Sequence, residues 1–576
     1  MKKNFTRLCF TIAGLLSMYL LSAQVTSPVM QPRKKGITSA EKNNYQPVFN
    51  NTLVTTANAP LSRGLTDGAD VRMHPSANVQ AEVTIAVNKA FPLNLLASAN
   101  TLNGPFEYNQ GYYYSTDGGA TWNGSDSLQN ISVSSVSGDP SVCYAADGTA
   151  FITSIIYASS GYWFQKSFNG GANWSSGKKG SNTFSFDKEM ADADDQTASP
   201  NKNNFYCSWT NFSSGNGSVE FNRSTDKGIN FSTPITLRSG TIGFGQGTNL
   251  QSGPDGEVYV CWADHNALIS PYKADNLGFT KSLNGGVTFD AFRKVFPYKG
   301  IRVDGFDATF NFTRVNDFPA MAVDKSTGTH RGRIYVAYPA KFNDTGKAVI
   351  YVRFSDDKGT TWSTGKVVNI PESRQSFFPW IAVDDVTGRI WVVYLSLDQP
   401  SGFSTNTYVS VSPNGGNTWY NQKVSDVPHI TKAIDNNNFA YGYAGDYIGI
   451  EAYNGVAHAV WADNRNGSWQ AYSSSITEHN FDAITAGDNT NANAIVKNAV
   501  KITAGPNPFT DYIHIECSAK MSLVQLCSQS GIVVKQWKNI VSGAYSVSNV
   551  PPGMYLIKII TAQEKQQAYS QGLIKF

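Results

Sequence analysis

The octet STDGGATW, from Ser115 to Trp122, recurs five times: SFNGGANW from Ser167, STDKGINF from Ser224, SLNGGVTF from Ser282, SDDKGTTW from Ser355 and SPNGGNTW from Ser412. Self-similarity at a regular period decides an architecture before any other reading of a chain. The first serines stand 52, 57, 58, 73 and 57 residues apart, close to the length of a four-stranded propeller blade with its loops. The octet's chemistry is that of a joint. An Asp or Asn at its third position accepts hydrogen bonds from backbone N–H groups two or three residues on and closes a turn. The glycines supply positive φ at no steric cost, and the closing aromatic folds beneath, where burial of such a ring is worth up to about 4 to 6 kcal/mol. The pairs that do this are Asp117 and Trp122, Asn169 and Trp174, Asp226 and Phe231, Asn284 and Phe289, Asp357 and Trp362, and Asn414 and Trp419. Six copies of one active site on one chain would be odd, so the octets are structural.

Behind each octet stand two strand signals, such as FPAMAVD from Phe318 and GRIYVAYPA from Gly332. Equivalents of the first begin at Glu82, Asp139, Asp187, Phe378 and Asp446, and a weaker one precedes GEVYVCWAD at Gly256. These make seven units, the last without an octet. That last unit lacks its own outer strand and can borrow ADVRM, Ala69 to Met73, to close a ring. The expected fold is all-β: a propeller of seven blades, or of six if one unit is an insertion, followed by a small C-terminal β-sandwich.

The octets match the Asp-box, or BNR repeat, of the sialidase (neuraminidase) superfamily, which the chain resembles. The resemblance implies a β-propeller with its boxes between the third and fourth strands of each blade, on the face opposite the ligand site. It also implies a possible exo-acting glycoside hydrolase that releases terminal acidic sugars through a Tyr nucleophile activated by Glu, an Asp acid/base and three arginines on the sugar carboxylate. Two departures stand against that chemistry. Sialidases are typically six-bladed, and their Arg-Ile-Pro motif before the first box is missing, the nearest stretch being Arg72-Met73-His74-Pro75. No catalytic residue is carried across. The favoured reading is a secreted or cell-surface propeller that binds extracellular glycans or proteins, a glycan or glycoprotein being the expected partner, and the hydrolase is the alternative.

Residues 1–23 combine Lys2, Lys3 and Arg7 with an apolar stretch ending at Leu21-Ser22-Ala23, the profile of a secretory signal peptide cleaved before Gln24. Residues 24–68 show no sustained period and read as a flexible leader, 69–480 as the propeller and 481–500 as a small, polar linker. Residues 501–576 resemble the type A C-terminal sorting domain of the type IX secretion system, with Asn507-Pro508 near the start, Gly553-Met554-Tyr555 near the end and a basic last strand. That resemblance implies contact with the type IX machinery, removal of the tail, and a place outside a Bacteroidetes-type Gram-negative cell or on its outer-membrane surface. Cys143, Cys207 and Cys261 fall on single strands of successive blades and read as buried free thiols; Cys517 and Cys527 could pair. A net charge of +3, unclustered, gives no footprint for nucleic acid, and no stretch after the leader peptide is long and apolar enough to span a membrane.

In a propeller the first strands start, and the second strands end, at the mouth of the channel away from the boxes, which is the default ligand site. Arg314 and Arg374 each precede the proline of a Phe-Pro strand by five residues, so adjacent blades present guanidinium groups at equivalent points. Glu82, Asp139, Asp187 and Asp446 begin first strands, while Asp264, and Asp463 with Arg465, follow Trp262 and Trp461, whose faces could stack on a sugar. The bland reading of each rim charge is a loop hydrogen bond or solvated ion pair. No H-E-x-x-H pair, G-x-S-x-G elbow or phosphate loop occurs. Asp192, Asp194 and Asp195 lack the Gly and distal Glu of an EF-hand and read as a turn cap, a structural Ca²⁺ there being the one ion the pattern leaves open; no metal or other cofactor is expected.

Overall fold

The computed structural model describes residues 65–478 apart from 103–107, 132–137, 156–160, 184, 214–216, 241–242, 266–271, 304–309, 311–312, 343–345, 370–374, 398–403, 431–433 and 435–442, together with most of 502–575. The signal peptide, nearly all of the leader, the linker, Arg374 and the side chains of Cys517 and Cys527 lie outside the described residues. The chain divides into two units, Met1–Phe481 and Asp482–Phe576.

The first unit is a seven-bladed propeller of antiparallel sheets. Its innermost strands are Val79–Val87, Gly138–Tyr144, Phe186–Ala193, Phe244–Ser252, Ala320–Val323, Ser376–Val383 and Gly449–Tyr453, in blades 1 to 7. Second strands such as Val258–His265 and Ile390–Leu397 are buried along their whole length. Each is covered on both faces by neighbouring blades, which explains their nearly continuous apolar runs. The last blade is completed from the N-terminus: Leu65–Asp67 pairs with Ile476–Glu478, and Val71–Arg72 with Tyr472–Ser473. The closing strand therefore starts at Leu65, inside the segment that composition marks as leader.

Each box is more fully satisfied than its sequence suggests. In blade 1, Asp117 Oδ1 accepts from the Thr121 amide four residues on (2.9 Å), rather than two or three, while Ser115 Oγ donates to Asp117 and accepts from the Gly119 amide (2.7 and 2.9 Å). Asn169, Asn284 and Asn414 accept the same i+4 amide at 2.9, 3.0 and 2.9 Å. The second glycine sits at φ > 0 against the preceding blade; a Cβ on Gly228 would lie 2.1 Å from Phe164, and one on Gly359 would lie 2.2 Å from Phe279.

The box ring also packs on the preceding blade. Trp174 meets Tyr112, Phe231 meets Phe164, Phe289 meets Phe221 and Trp362 meets Phe279, with centroids 4.7 to 6.1 Å apart. Trp122 donates to Ser473 Oγ of blade 7 (3.0 Å). A cation from the preceding blade then caps a box carbonyl: Lys166 on Lys227, Arg223 on Gly285, Arg293 on Gly359 and Arg333 on Gly415, at 2.6 to 3.0 Å.

Cys143, Cys207 and Cys261 are buried free thiols. The second unit pairs a three-stranded with a four-stranded sheet over one core that includes Ile513, Ile515, Val524, Leu526, Ile557 and Ile559, a β-sandwich. Among the described residues no helix is long and apolar enough to cross a membrane.

Trp174 is 3% exposed, whereas Trp362 is only partly buried. Trp174→Ala is therefore expected to cost about 3 to 5 kcal/mol in denaturant unfolding, and Trp362→Ala less; the reverse ranking would contradict the packing account.

Candidate functional site

In five blades the innermost strand opens with a β-bulge at its box-free end: between Ala81 and Thr84, Gly138 and Ser141, Asp187 and Met190, Gln246 and Asn249, and Phe377 and Trp380. The residue after the first of each pair is left-handed: Glu82 (φ 55°), Asp139 (52°), Lys188 (56°), Gly247 (65°) and Phe378 (52°). Only one is glycine. For the other four this conformation costs on the order of 1 kcal/mol each, and a bulge re-aims side chains. The prolines that follow, Pro140 and Pro379, are tolerated because an innermost strand has a free edge.

These bulges and the segments leading into blades 5 and 7 meet at the channel mouth. Arg314 Nη2 donates to both carboxylate oxygens of Asp446 (2.8 Å each), and Asn316 donates to the Asp446 carbonyl (2.7 Å). Arg314 also lies 5.0 Å from the Tyr443 ring centroid. Asn100 donates to Glu82 (2.7 Å) and to Tyr443 Oη (3.3 Å), and Tyr443 hydrogen bonds Glu82. The Lys188 amide donates to Asp139 (3.0 Å), Gln246 to Asp187 (2.6 Å), Arg302 to Gln246 (2.9 Å) and Tyr447 to the Pro140 carbonyl (2.9 Å). Lys188 Nζ lies 3.6 Å from the Tyr447 ring centroid and 3.9 Å from Glu82 Oε1, yet has no hydrogen-bond partner.

Burial and mutual repulsion set the protonation. Burial, then the Glu82 charge, lifts the Asp139 carboxyl to about 7 against the opposing pull of Lys188. Burial and Asp139 lift Asp187 likewise to about 7. Burial pushes Asp446 upward too, but Arg314 overrides it and holds the carboxyl below its ordinary value. Tyr443 is raised well above the usual phenol range by burial and Glu82.

The mouth cavity, lined by Lys188, Asn316, Phe318, Trp380, Asp446 and Tyr447 among others, leaves about 20 Å³ for the centre of a water-sized sphere, room for one water. A second cavity of about 80 Å³ by the same measure descends the channel to the box end. There Lys89 bridges Asp195 and Asp385, and Lys325 reaches Asp195 (2.9 Å) and Ser252 (3.1 Å). Asp194 caps a turn through Ser199 and Gln196 (2.6 and 3.2 Å), and Asp192 accepts from Ser252 (2.6 and 2.8 Å). Among the described residues no group of three or more His, Cys, Asp or Glu is arranged to hold a metal.

The mouth thus joins Glu82, Asp139, Asp187, Arg314 and Asp446, the last two paired with each other. It does not join the other described candidates. Trp262 and Trp461 are fully buried, a correction to the expectation that a sugar stacks on them: each donates its indole N–H to the aspartate two residues on, Asp264 (3.1 Å) and Asp463 (2.9 Å). Asp264 is spent on Arg238 (2.6 Å) and Asp463 on Arg465 (2.6 Å), which also binds Asp70 of the closing segment (2.5 Å). Arg72 binds Gln470. Lys188, Tyr443, Tyr447 and Asn316 were missed because their loops and bulges carry no period; the shared offset from the strand start was the available signal.

Residues 505–574 match the family model described as a secretion system C-terminal sorting domain. The tail is a sorting domain. With it the chain is a secreted or cell-surface protein, and the tail engages secretion machinery. No curated protein matches the chain. Solved structures similar to it include a Dyadobacter fermentans protein of unknown function (13% identity, 72% of this chain and 100% of that one, TM-score 0.40). Others are the GH93 α-L-arabinofuranosidase of Fusarium graminearum with arabinobiose (11%, 71% and 98%, TM-score 0.39) and a Hadza microbial sialidase (12%, 66% and 75%, TM-score 0.35). Similarity at this level leaves substrate and activity unassigned.

Because burial and neighbouring carboxylates lift Asp139 and Asp187 to about 7 in the folded chain from the ordinary aspartate value of 3.8, the folded chain holds more protons than the unfolded chain between those values. Their contribution to stability is complete below the lower value and is lost as pH rises through the upper one. A melting series from about pH 5 to 8 should show Asp139→Asn, which keeps a neutral side chain, flattening the decline; an equal or steeper slope would contradict the assignment.

Proposed function

We propose that the propeller binds extracellular glycans or glycoproteins at its box-free mouth, without sialidase chemistry. The observation that carries this reading is the ring of strained bulges, which turns Glu82, Asp139 and Lys188 out of regular strand geometry at one end of the channel. Proteins keep such strain where a ligand is handled. The boxes, by contrast, spend their polar groups on their own turns and their rings on neighbouring blades.

One feature favours a second reading, an exo-acting hydrolase of terminal acidic sugars. Tyr443 hydrogen bonded to Glu82, with Asp139 near 7, places a hydroxyl, a base and an acid together. Two magnitudes weigh against it. Exo-hydrolysis requires enclosure of a whole terminal sugar, while the cavity among the described residues of the mouth has room for one water; and Tyr443 is 6% exposed with its phenol held protonated.

A glycan array and a panel of fluorogenic glycosides, sialosides included, test the two together on the secreted protein. Binding without turnover of any glycoside is expected. Turnover that Tyr443→Phe abolishes would establish the hydrolase instead.

A further inference from the structure

The groups at the mouth also bear on which sugars it accepts. Lys188 is 3% exposed, adopts φ 56°, lines the cavity and leaves its Nζ without a hydrogen-bond partner. Its ammonium has the Tyr447 face at 3.6 Å and Glu82 at an ion-pair distance of 3.9 Å, but its N–H donors stay unspent in a strained backbone, an arrangement that an incoming acceptor oxygen relieves. The space before it fits one oxygen-sized group. Asp446, on the same wall, offers carboxylate oxygens that accept.

Among the described residues the arginines do not add up to an anion site. Arg314 is engaged by both oxygens of Asp446, and Arg302 by Gln246. Glu82, Asp139 and Asp187 crowd the same mouth, so above about pH 7, where both aspartates are ionised, a carboxylate entering it meets like charge from several blades. It would also need room for two oxygens and the opening of the Arg314–Asp446 pair. A sugar hydroxyl needs none of this, since it accepts from an ammonium and donates to a carboxylate at once.

Resting on the glycan-binding reading above, we propose that the mouth selects uncharged glycan ends: one hydroxyl enters the cavity, accepting from Lys188 and donating to Asp446, while carboxylated sugars are excluded. Lys188 is the specificity-determining residue, while Asp446 accepts from the hydroxyl and keeps Arg314 occupied.

Calorimetry on the secreted protein with matched probes decides it: galacto-oligosaccharides against oligogalacturonides, and lactose against 3′-sialyllactose. The neutral member of each pair that binds should bind about tenfold tighter or more, the scale of a charge-assisted hydrogen bond gained or refused. Lys188→Met should remove that affinity, Lys188→Arg restore part of it, and Asp446→Asn narrow the gap by admitting acid. The comparison on the unmodified protein needs no variant to fold. If the acidic members bind tighter, selectivity for uncharged ends is overturned while glycan binding stands. If a wide glycan array and all four probes show no binding, the glycan reading itself falls and takes this inference with it.

Discussion

Adjacent blades are held by the box turn of the later blade seated on the earlier one. The turn closes on its own serine and aspartate or asparagine, its second glycine makes room for the neighbour's side chain, and its ring and carbonyls are taken up across the joint. Six boxes fasten six of the seven joints, that of blade 1 reaching back to blade 7 through Trp122 and Ser473. The seventh, between blades 6 and 7, has no box. There the hairpin amides of Asn454 and Gly455 donate to Asp384 (3.0 and 2.6 Å), and Asp70 and Asp426 exchange amide-to-carboxylate bonds. The N-terminal strand completes the last blade, and the mouth draws residues from all seven blades.

The mouth itself is a poor bargain for stability alone. Burying charges costs several kcal/mol each unless they are well paired, and here one pair, Arg314 with Asp446, is well formed while Asp139 and Asp187 hold protons until about pH 7. At the box end a comparable cluster is better compensated, because Lys89 and Lys325 share Asp195 between them. The two ends of one channel thus differ in kind: a brace at the box end, an incompletely satisfied network at the other.

Repetition made the architecture legible. An octet of recurring chemistry at blade spacing, with the paired strand signals behind it, pointed to seven units with six left open and to the structural role of Asp117 and its equivalents, because turn chemistry is local and recurs. What needed the structure was non-local. Trp262 and Trp461 look like stacking platforms from the WAD endings, but adjacent blades bury them, and only the fold shows it. Arg314 and Asp446 were visible as separate candidates 132 residues apart; their pairing, which turns two charges into one neutral contact, was not. Lys188 was hidden because a left-handed bulge in a lysine leaves no trace in composition, unlike Gly247 at the equivalent position. The closing strand at Leu65 was hidden because three residues carry no period.

The central claim is a division of labour, with joints on one face and recognition on the other. Hydrogen exchange on the secreted protein, with and without the tightest binder from a glycan array, tests it most directly. Slowed exchange in peptides spanning 78–84, 138–141, 186–190 and 443–449, with no change across the six boxes, is the result this account requires. Protection concentrated in the box turns, with those four segments unaffected, would contradict it.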